Sequence, residues 1–207
     1  MSDELILYTN PMSRGRIARW LLEESGQPYR TEVVEYDRMR DPAFLAINPM
    51  GKVPVLRHGQ AVVTENGAIC AYVADAFPNS GLAPAPGDPA RGLYYRWLFF
   101  ACGPFEAAVT VKSAGWAEDP SKRRSYGWGS YGETLKVVED WLETNDFAAG
   151  QSFTGADVIL GSQIIWGLLF GTVEKRPAFE RYANRLTDRA AYLRAKTADD
   201  ALMPKAP

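Results

Sequence analysis

Cysteine and histidine are scarce: Cys70, Cys102 and His58 are the only ones in 207 residues. The two cysteines form no CxxC pair, so neither a disulfide framework nor a dithiol redox motif is expected, and a reducing cytoplasm is the default compartment. One histidine, placed before a glycine in a turn, gives no basis for a His-ligated metal site or for Ser–His catalysis. No apolar run approaches the roughly 18 residues of a membrane span, which argues against a membrane partner. Positive charge is not in excess, since 23 Lys and Arg face 25 Asp and Glu for a net charge of -2. A nucleic-acid surface normally needs a basic face, so that partner class is disfavoured. The opening Met1-Ser2-Asp3-Glu4 leads straight into a strand signal, and no signal peptide is expected.

What is present is ordinary for a globular chain: 46% hydrophobic and 23% charged residues. The length suits one large domain or two small ones. Glu4 to Tyr8 reads as a short strand, followed by the turn Thr9-Asn10-Pro11-Met12. Ser13 is a candidate cap for a helix to about Ser25, with Ile17, Trp20, Leu21 and Leu22 on its apolar face. Gly26 ends it. Tyr29 to Val34 reads as a second strand and Asp41 to Ala46 as a helical turn. Val53 to Leu56 and Ala61 to Val63 make a hairpin. Glu65 to Phe77 has helical spacing, through Ile69, Tyr72, Val73, Ala76 and Phe77. Residues 1–78 therefore read as β-α-β-α-β-β-α, and a strand–helix–strand start implies a parallel pair.

Residues 79–89 are rich in Pro and Gly and read as a linker. From 90 to 207 strand signals cease. Ala90 to about Ala114 is one long aromatic-rich helical signal, which Gly103-Pro104 should bend. Tyr131 to Thr144 is amphipathic, and Thr154 to Phe170 is apolar nearly all round, as expected of a central buried helix. In Phe153-Thr154-Gly155-Ala156-Asp157-Val158, Thr154 and Asp157 have capping-box spacing, with Phe153 and Val158 at the hydrophobic-staple positions. Pro177 to about Lys196 supplies one or two final helices, and the tail from Thr197 reads as frayed.

The stretch 48 to 69 organises the first half. Asn48-Pro49-Met50-Gly51-Lys52 turns the chain, and Pro54 then interrupts a strand signal between Val53 and Val55. A proline there cannot donate to the ladder, which places it at a strand's first position, where a cis bond is plausible. Together with Leu7 to Ser13, Glu65-Asn66-Gly67-Ala68-Ile69 and the Thr154 capping box, this stretch resembles the cytosolic glutathione transferase family over essentially the whole chain. The resemblance implies a thioredoxin-like α/β N-terminal domain, an all-α C-terminal bundle, a cytoplasmic location and a homodimer. It also implies an enzyme that joins glutathione to a small hydrophobic electrophile, or a related thiol transfer, with glutathione as co-substrate and no metal.

That chemistry needs a thiolate. A thiol of pKa about 8.5 is only about 3% ionised at pH 7. Lowering the pKa by about two units takes about 2.7 kcal/mol, and one hydrogen bond to a charged sulfur supplies about 1.5–3. A helix N-terminus adds about 0.3–1. One hydroxyl at a helix start is enough, and Ser13 resembles the serine donor of the family; Tyr8, Asn10, Arg14 and Arg16 are its rivals. For glutathione itself, the backbone edge of Val53 beside Pro54 suits the cysteinyl unit. Glu65 and Asn66 at a helix start suit the γ-glutamyl end. Lys52 suits the glycyl carboxylate. The family most often has serine where Asn66 stands. Met12, Phe100 and Phe105 are the candidate lining of the electrophile pocket, expected between the domains, with Trp97 and Trp116 as further candidates. The competing reading is a non-catalytic binder of hydrophobic ligands on the same fold. An interaction module and the glutathione-dependent isomerases fit less well, the latter because their serine-serine-cysteine turn is absent.

Overall fold

The computed structural model of the chain describes residues 4–203. Residues 1–3 and 204–207 lie outside them, and with them the leader reading and the end of the tail. Strand β1 (Leu5–Thr9) lies inside a four-stranded sheet of order β2-β1-β3-β4. The other strands are β2 (Tyr29–Val33), β3 (Val55–His58) and β4 (Ala61–Thr64). β1 runs parallel to β2 and antiparallel to β3, and β3 pairs antiparallel with β4. As an interior strand covered on both faces, β1 is apolar throughout its first half, with Leu5, Ile6 and Leu7 all buried. Gly59, at φ 57°, takes the left-handed conformation that the tight β3–β4 turn requires.

Helix α1 (Gly15–Ser25) follows β1 and buries Ile17, Ala18, Trp20, Leu21 and Leu22. Gly26 closes it in the left-handed conformation at φ 68°. A single 3₁₀ turn, Tyr36–Arg38, precedes α2 (Pro42–Leu45), and α3 (Asn66–Ala76) follows the hairpin. Met39 and Phe44 form a small core with Val55, against which Tyr8 packs. Tyr8 is thus committed to packing in the body of the sheet.

Residues 83–188 form a second, all-helical unit. Its helices are α4 (Ala90–Phe100), α5 (Glu106–Ser113), α6 (Tyr131–Thr144), α7 (Gly155–Phe170) and α8 (Pro177–Thr187). Between α4 and α5 the chain does not break at Gly103-Pro104 but widens into a π turn over Ala101–Phe105. Pro104 has no N–H to give and its ring would crowd a regular turn. The Glu106 N–H reaches back to the Ala101 carbonyl instead, and Gln163 Nε2 of α7 donates to the same oxygen at 2.9 Å. The capping box at α7 is formed by Thr154 and Asp157.

Two expectations change here. The all-helical unit does not run to the C-terminus, because residues from Arg189 on belong with residues up to Leu82. The tail is also not frayed from Thr197. Helix α9 (Ala190–Asp200) runs through it and packs on α1. The Arg189 guanidinium forks onto Glu24 at 2.6 and 2.8 Å, and Arg194 meets Glu23 at 2.8 Å. The Tyr192 ring stands edge-on to Trp20 at 5.0 Å. Arg19 of α1 and Asp199 of α9 form a buried ion pair at 2.7 Å, with side chains 3% and 1% exposed.

Candidate functional site

The sheet register fixes where the site residues of the first unit meet. Tyr8 faces Val55, and Val55 faces Thr64. One step further along each pair, Pro54 continues toward Thr9 on one side and Glu65 on the other. The end of β1, the start of β3 and the end of β4 therefore converge at one edge. The turn 10–14 leaves that edge toward α1, and α3 begins there. Asn66 Nδ2 of α3 donates to the Arg14 carbonyl at 3.3 Å, a direct bond between the two helix starts.

Ser13 lies two residues before the helix: α1 begins at Gly15, with Arg14 as its capping residue and no side-chain cap. The expectation that Ser13 heads the helix is thus shifted, although its hydroxyl still serves the helix start. Ser13 Oγ accepts the Gly15 N–H at 2.9 Å and donates to the Asn10 carbonyl at 2.7 Å. Gly15 makes this approach possible, because a β-carbon there would lie 1.9 Å from Thr9 Oγ1. Asn10 is buried and engaged at both ends of its amide. Its Oδ1 accepts the Met12 N–H at 3.0 Å, and its Nδ2 donates to the Val34 carbonyl at 3.1 Å. That amide holds the turn in shape. Arg16 points back along the turn, with Nε donating to the Pro11 carbonyl at 2.5 Å and one terminal nitrogen on Asp200 at 2.9 Å. Tyr36 donates its hydroxyl to the Met12 carbonyl at 2.8 Å.

On the second arm, the Val53–Pro54 bond is cis. Asn48, buried, donates Nδ2 to the Lys52 carbonyl at 2.8 Å and accepts the Met50 N–H at 3.1 Å. These bonds brace the loop that delivers Val53. Gly51, at φ 59°, would place a β-carbon 2.7 Å from the Met39 carbonyl, so no other residue fits that bend. The Lys52 side chain is exposed and makes no ion pair among the described residues. On the third arm, Glu65 is exposed and is the one non-glycine residue with positive φ among those described, at φ 67° and ψ 125°. Its carbonyl accepts the Ile69 N–H at 2.9 Å, so it is the capping residue of α3. Asn66 Oδ1 is buried without a partner among the described residues.

The electrophile candidates divide. Met12, beside Ser13 in the turn, is 53% exposed. In the second unit Phe100 is partly exposed, its ring edge-on to Trp97 at 5.4 Å. Phe105 is a correction: it is completely buried in the π turn and has no face to offer a ligand. Trp97 is buried in the same way, whereas Trp116 is 65% exposed. Their common aromatic spacing on a helix could not separate core from surface. Gly15, Tyr36 and Asp200 were not singled out in the sequence. Only the close fit of α1 against β1 identifies the first, and contacts distant in sequence identify the others.

A mixed sheet of order β2-β1-β3-β4, flanked by helices and followed by an all-helical unit, defines a glutathione-transferase fold: a thioredoxin-like domain with a helical partner. Residues 7–81 match the family model for the glutathione S-transferase N-terminal domain. Glutathione S-transferase GST-4.5 of Xanthomonas campestris pv. campestris is 31% identical over 165 residues, 77% of this chain and 81% of that protein. A sphingomonad glutathione S-transferase, solved in complex with glutathione, superimposes with a TM-score of 0.78 at 30% identity, covering 94% of this chain and 98% of its own. A glutathione transferase of Methylococcus capsulatus strain Bath gives a TM-score of 0.79 at 27% identity, covering 95% and 99%. The chain belongs to the glutathione S-transferase family, and it is a glutathione transferase enzyme.

Proposed function

We propose that this enzyme binds glutathione at the edge where β1, β3 and β4 converge and transfers its thiolate to a small hydrophobic electrophile. The bond between Asn66 and the Arg14 carbonyl carries this reading, because it brings the γ-glutamyl anchor and the Ser13 turn into one site. The backbone of Val53, beside Pro54, pairs with the cysteinyl unit as an added strand would. Glu65 faces the γ-glutamyl ammonium, and the N–H groups opening α3 take its carboxylate. Lys52, exposed and unpaired among the described residues, takes the glycyl carboxylate. Met12, next to Ser13, is the apolar contact for the electrophile. The active form is a homodimer.

Ser13 is the thiol activator in this reading, and its hydroxyl turns toward the sulfur to donate a hydrogen bond. It now points at the Asn10 carbonyl. That oxygen also accepts the Ser13 backbone N–H at 3.1 Å, so it is not orphaned when the hydroxyl rotates toward sulfur. A bond to a thiolate is charge-assisted and stronger than one to a neutral carbonyl, which favours the rotation. The Gly15 N–H stays on Oγ meanwhile and polarises the hydroxyl.

Ser13→Ala removes a bond worth about 1.5–3 kcal/mol. kcat/KM with a chlorodinitrobenzene-type electrophile should fall by about 10- to 150-fold, and the pKa of bound glutathione should rise by about one to two units. An unchanged rate and an unchanged thiol titration would remove Ser13 from this role. Ligand quenching of tryptophan fluorescence without any conjugation would favour the binding-protein reading instead.

A further inference from the structure

Three carbonyls of the turn that carries Ser13 are held by side chains from three different elements. Met12 O accepts from Tyr36, Arg14 O from Asn66 of α3, and Pro11 O from Arg16. Of these three donors, Arg16 is the one braced by the far end of the chain. Its guanidinium is one-quarter exposed and spans from Pro11 O to Asp200 on the last turn of α9. A guanidinium is a rigid fork, so fixing one arm fixes the direction of the other. Asp200 is itself steadied by Lys196, one turn earlier on the same helix, at 2.5 Å. The hydrogen bond from Lys196, and after it the one from Arg16, hold the Asp200 carboxyl below its usual range. It is therefore a carboxylate at neutral pH. The rest of α9 is locked to α1 by the buried Arg19–Asp199 pair and by the Arg189 and Arg194 pairs, so Asp200 is carried on a fixed support.

We infer that Asp200 of the C-terminal helix is a positioning residue for thiol activation, acting through Arg16 to fix the Pro11 carbonyl and hence the turn that aims the Ser13 hydroxyl. This rests on the reading of Ser13 given above. Arg16 is thereby reassigned: with Nε on Pro11 O and one terminal nitrogen on Asp200, it is a brace for the turn. The three amide protons inside the turn report on it directly. Met12 N–H sits on Asn10 Oδ1, Ser13 N–H on the Asn10 carbonyl, and Gly15 N–H on Ser13 Oγ.

The test compares full-length wild type with Asp200→Ala, Arg16→Met, Lys196→Gln and Ser13→Ala. Two quantities are read: hydrogen exchange at residues 12, 13 and 15, and the ultraviolet absorbance of bound glutathione thiolate against pH. Asp200→Ala and Arg16→Met should each speed exchange at those amides by about tenfold and reduce the thiolate fraction at neutral pH by a similar factor, with kcat falling more than KM rises. Exchange within the sheet and the melting temperature should hardly move, because Asp200 is exposed and ion pairs reached by solvent add little stability. Lys196→Gln, which spares the Arg16 contact but removes the bond that steadies Asp200, should shift exchange and thiol titration in the same direction by less than Asp200→Ala does. Unchanged exchange in Asp200→Ala overturns the inference whatever Ser13→Ala does. So does an unchanged thiol titration in Asp200→Ala when Ser13→Ala shifts it. If Ser13→Ala leaves the thiol alone while Asp200→Ala still loosens the turn, the serine reading falls and the brace stands.

Discussion

At the scale of single residues, Glu65 does two things that pull apart under substitution. Its backbone sits at φ 67° and ψ 125°, a conformation that costs a side-chain-bearing residue about 1–3 kcal/mol. Its exposed carboxylate is the group assigned to the γ-glutamyl ammonium. Glu65→Ala keeps the strain and loses the carboxylate, whereas Glu65→Gly loses both. The glycine variant also gives back about 0.5–1 kcal/mol in unfolded-chain entropy. Both variants should therefore bind glutathione at least about tenfold more weakly, the loss expected for one charge-assisted bond. Only Glu65→Gly should gain stability over Glu65→Ala, by about 1 kcal/mol or about 2–4 °C in melting temperature for a chain this long. Paired thermal melts and glutathione titrations check this. Equal melting of the two variants would show no relieved strain, and retained affinity would take the carboxylate away from the ammonium.

At the scale of elements, the start of α7 shows how a folding signal becomes a titrating group. Asp157 is fully buried and accepts four hydrogen bonds: from Ala148 N at 2.6 Å, from Thr154 N at 2.8 Å, from Thr154 Oγ1 at 3.1 Å and from the Tyr182 hydroxyl at 2.8 Å. Burial nevertheless dominates and pushes its carboxyl up to about 6, with those bonds pulling the other way. In the unfolded chain the same group titrates near about 3.9. The folded state thus holds this proton more tightly than the unfolded state does. The stability that protonation confers is fully present below about pH 4 and is lost as pH rises through about 6, a swing of about 3 kcal/mol. Carbon-13 NMR of the Asp157 carboxyl should give a midpoint near 6. Relative to Asp157→Asn, wild type should lose stability between those two pH values; a flat difference would mean that the hydrogen bonds fully offset burial. The capping box was legible from Thr154-x-x-Asp157 alone, because a cap needs only short-range spacing. Its pKa was not, since that depends on Tyr182 and Ala148 arriving from elsewhere. The same division runs through the first unit. The order β-α-β-α-β-β-α and the turn around Gly51 could be read from local pattern, while the helix start at Gly15 depends on how closely α1 meets Thr9.

At the scale of the whole chain, the C-terminal helix is the element on which local pattern bears least. Helix α9 offers only Ala191, Ala195 and Asp199 as buried residues, so periodicity could show that a helix exists but not what it covers. Its partner is chosen by charge, through pairs joining residues 16–24 to residues 189–200. The first unit is therefore closed by both ends of the chain, and the Arg19–Asp199 pair is its most deeply buried link. Burial pushes the Asp199 carboxyl up against the opposing pull of Arg19, so the pair is not a large net source of stability. Breaking it is another matter, because Asp199→Ala leaves the Arg19 guanidinium buried without its counter-charge. Such a loss costs about 3–5 kcal/mol, against a total of about 5–15 for a typical protein. Denaturant unfolding of Asp199→Ala should show that loss, with the Tyr29 and Thr31 hydroxyls as the hydrogen-bond partners left to the Arg19 guanidinium among the described residues. Arg19→Leu combined with Asp199→Leu removes both charges and should recover most of the stability. A double variant no more stable than Asp199→Ala would mean that the intact pair is itself a net source of stability, and that a stranded guanidinium is not the origin of the loss.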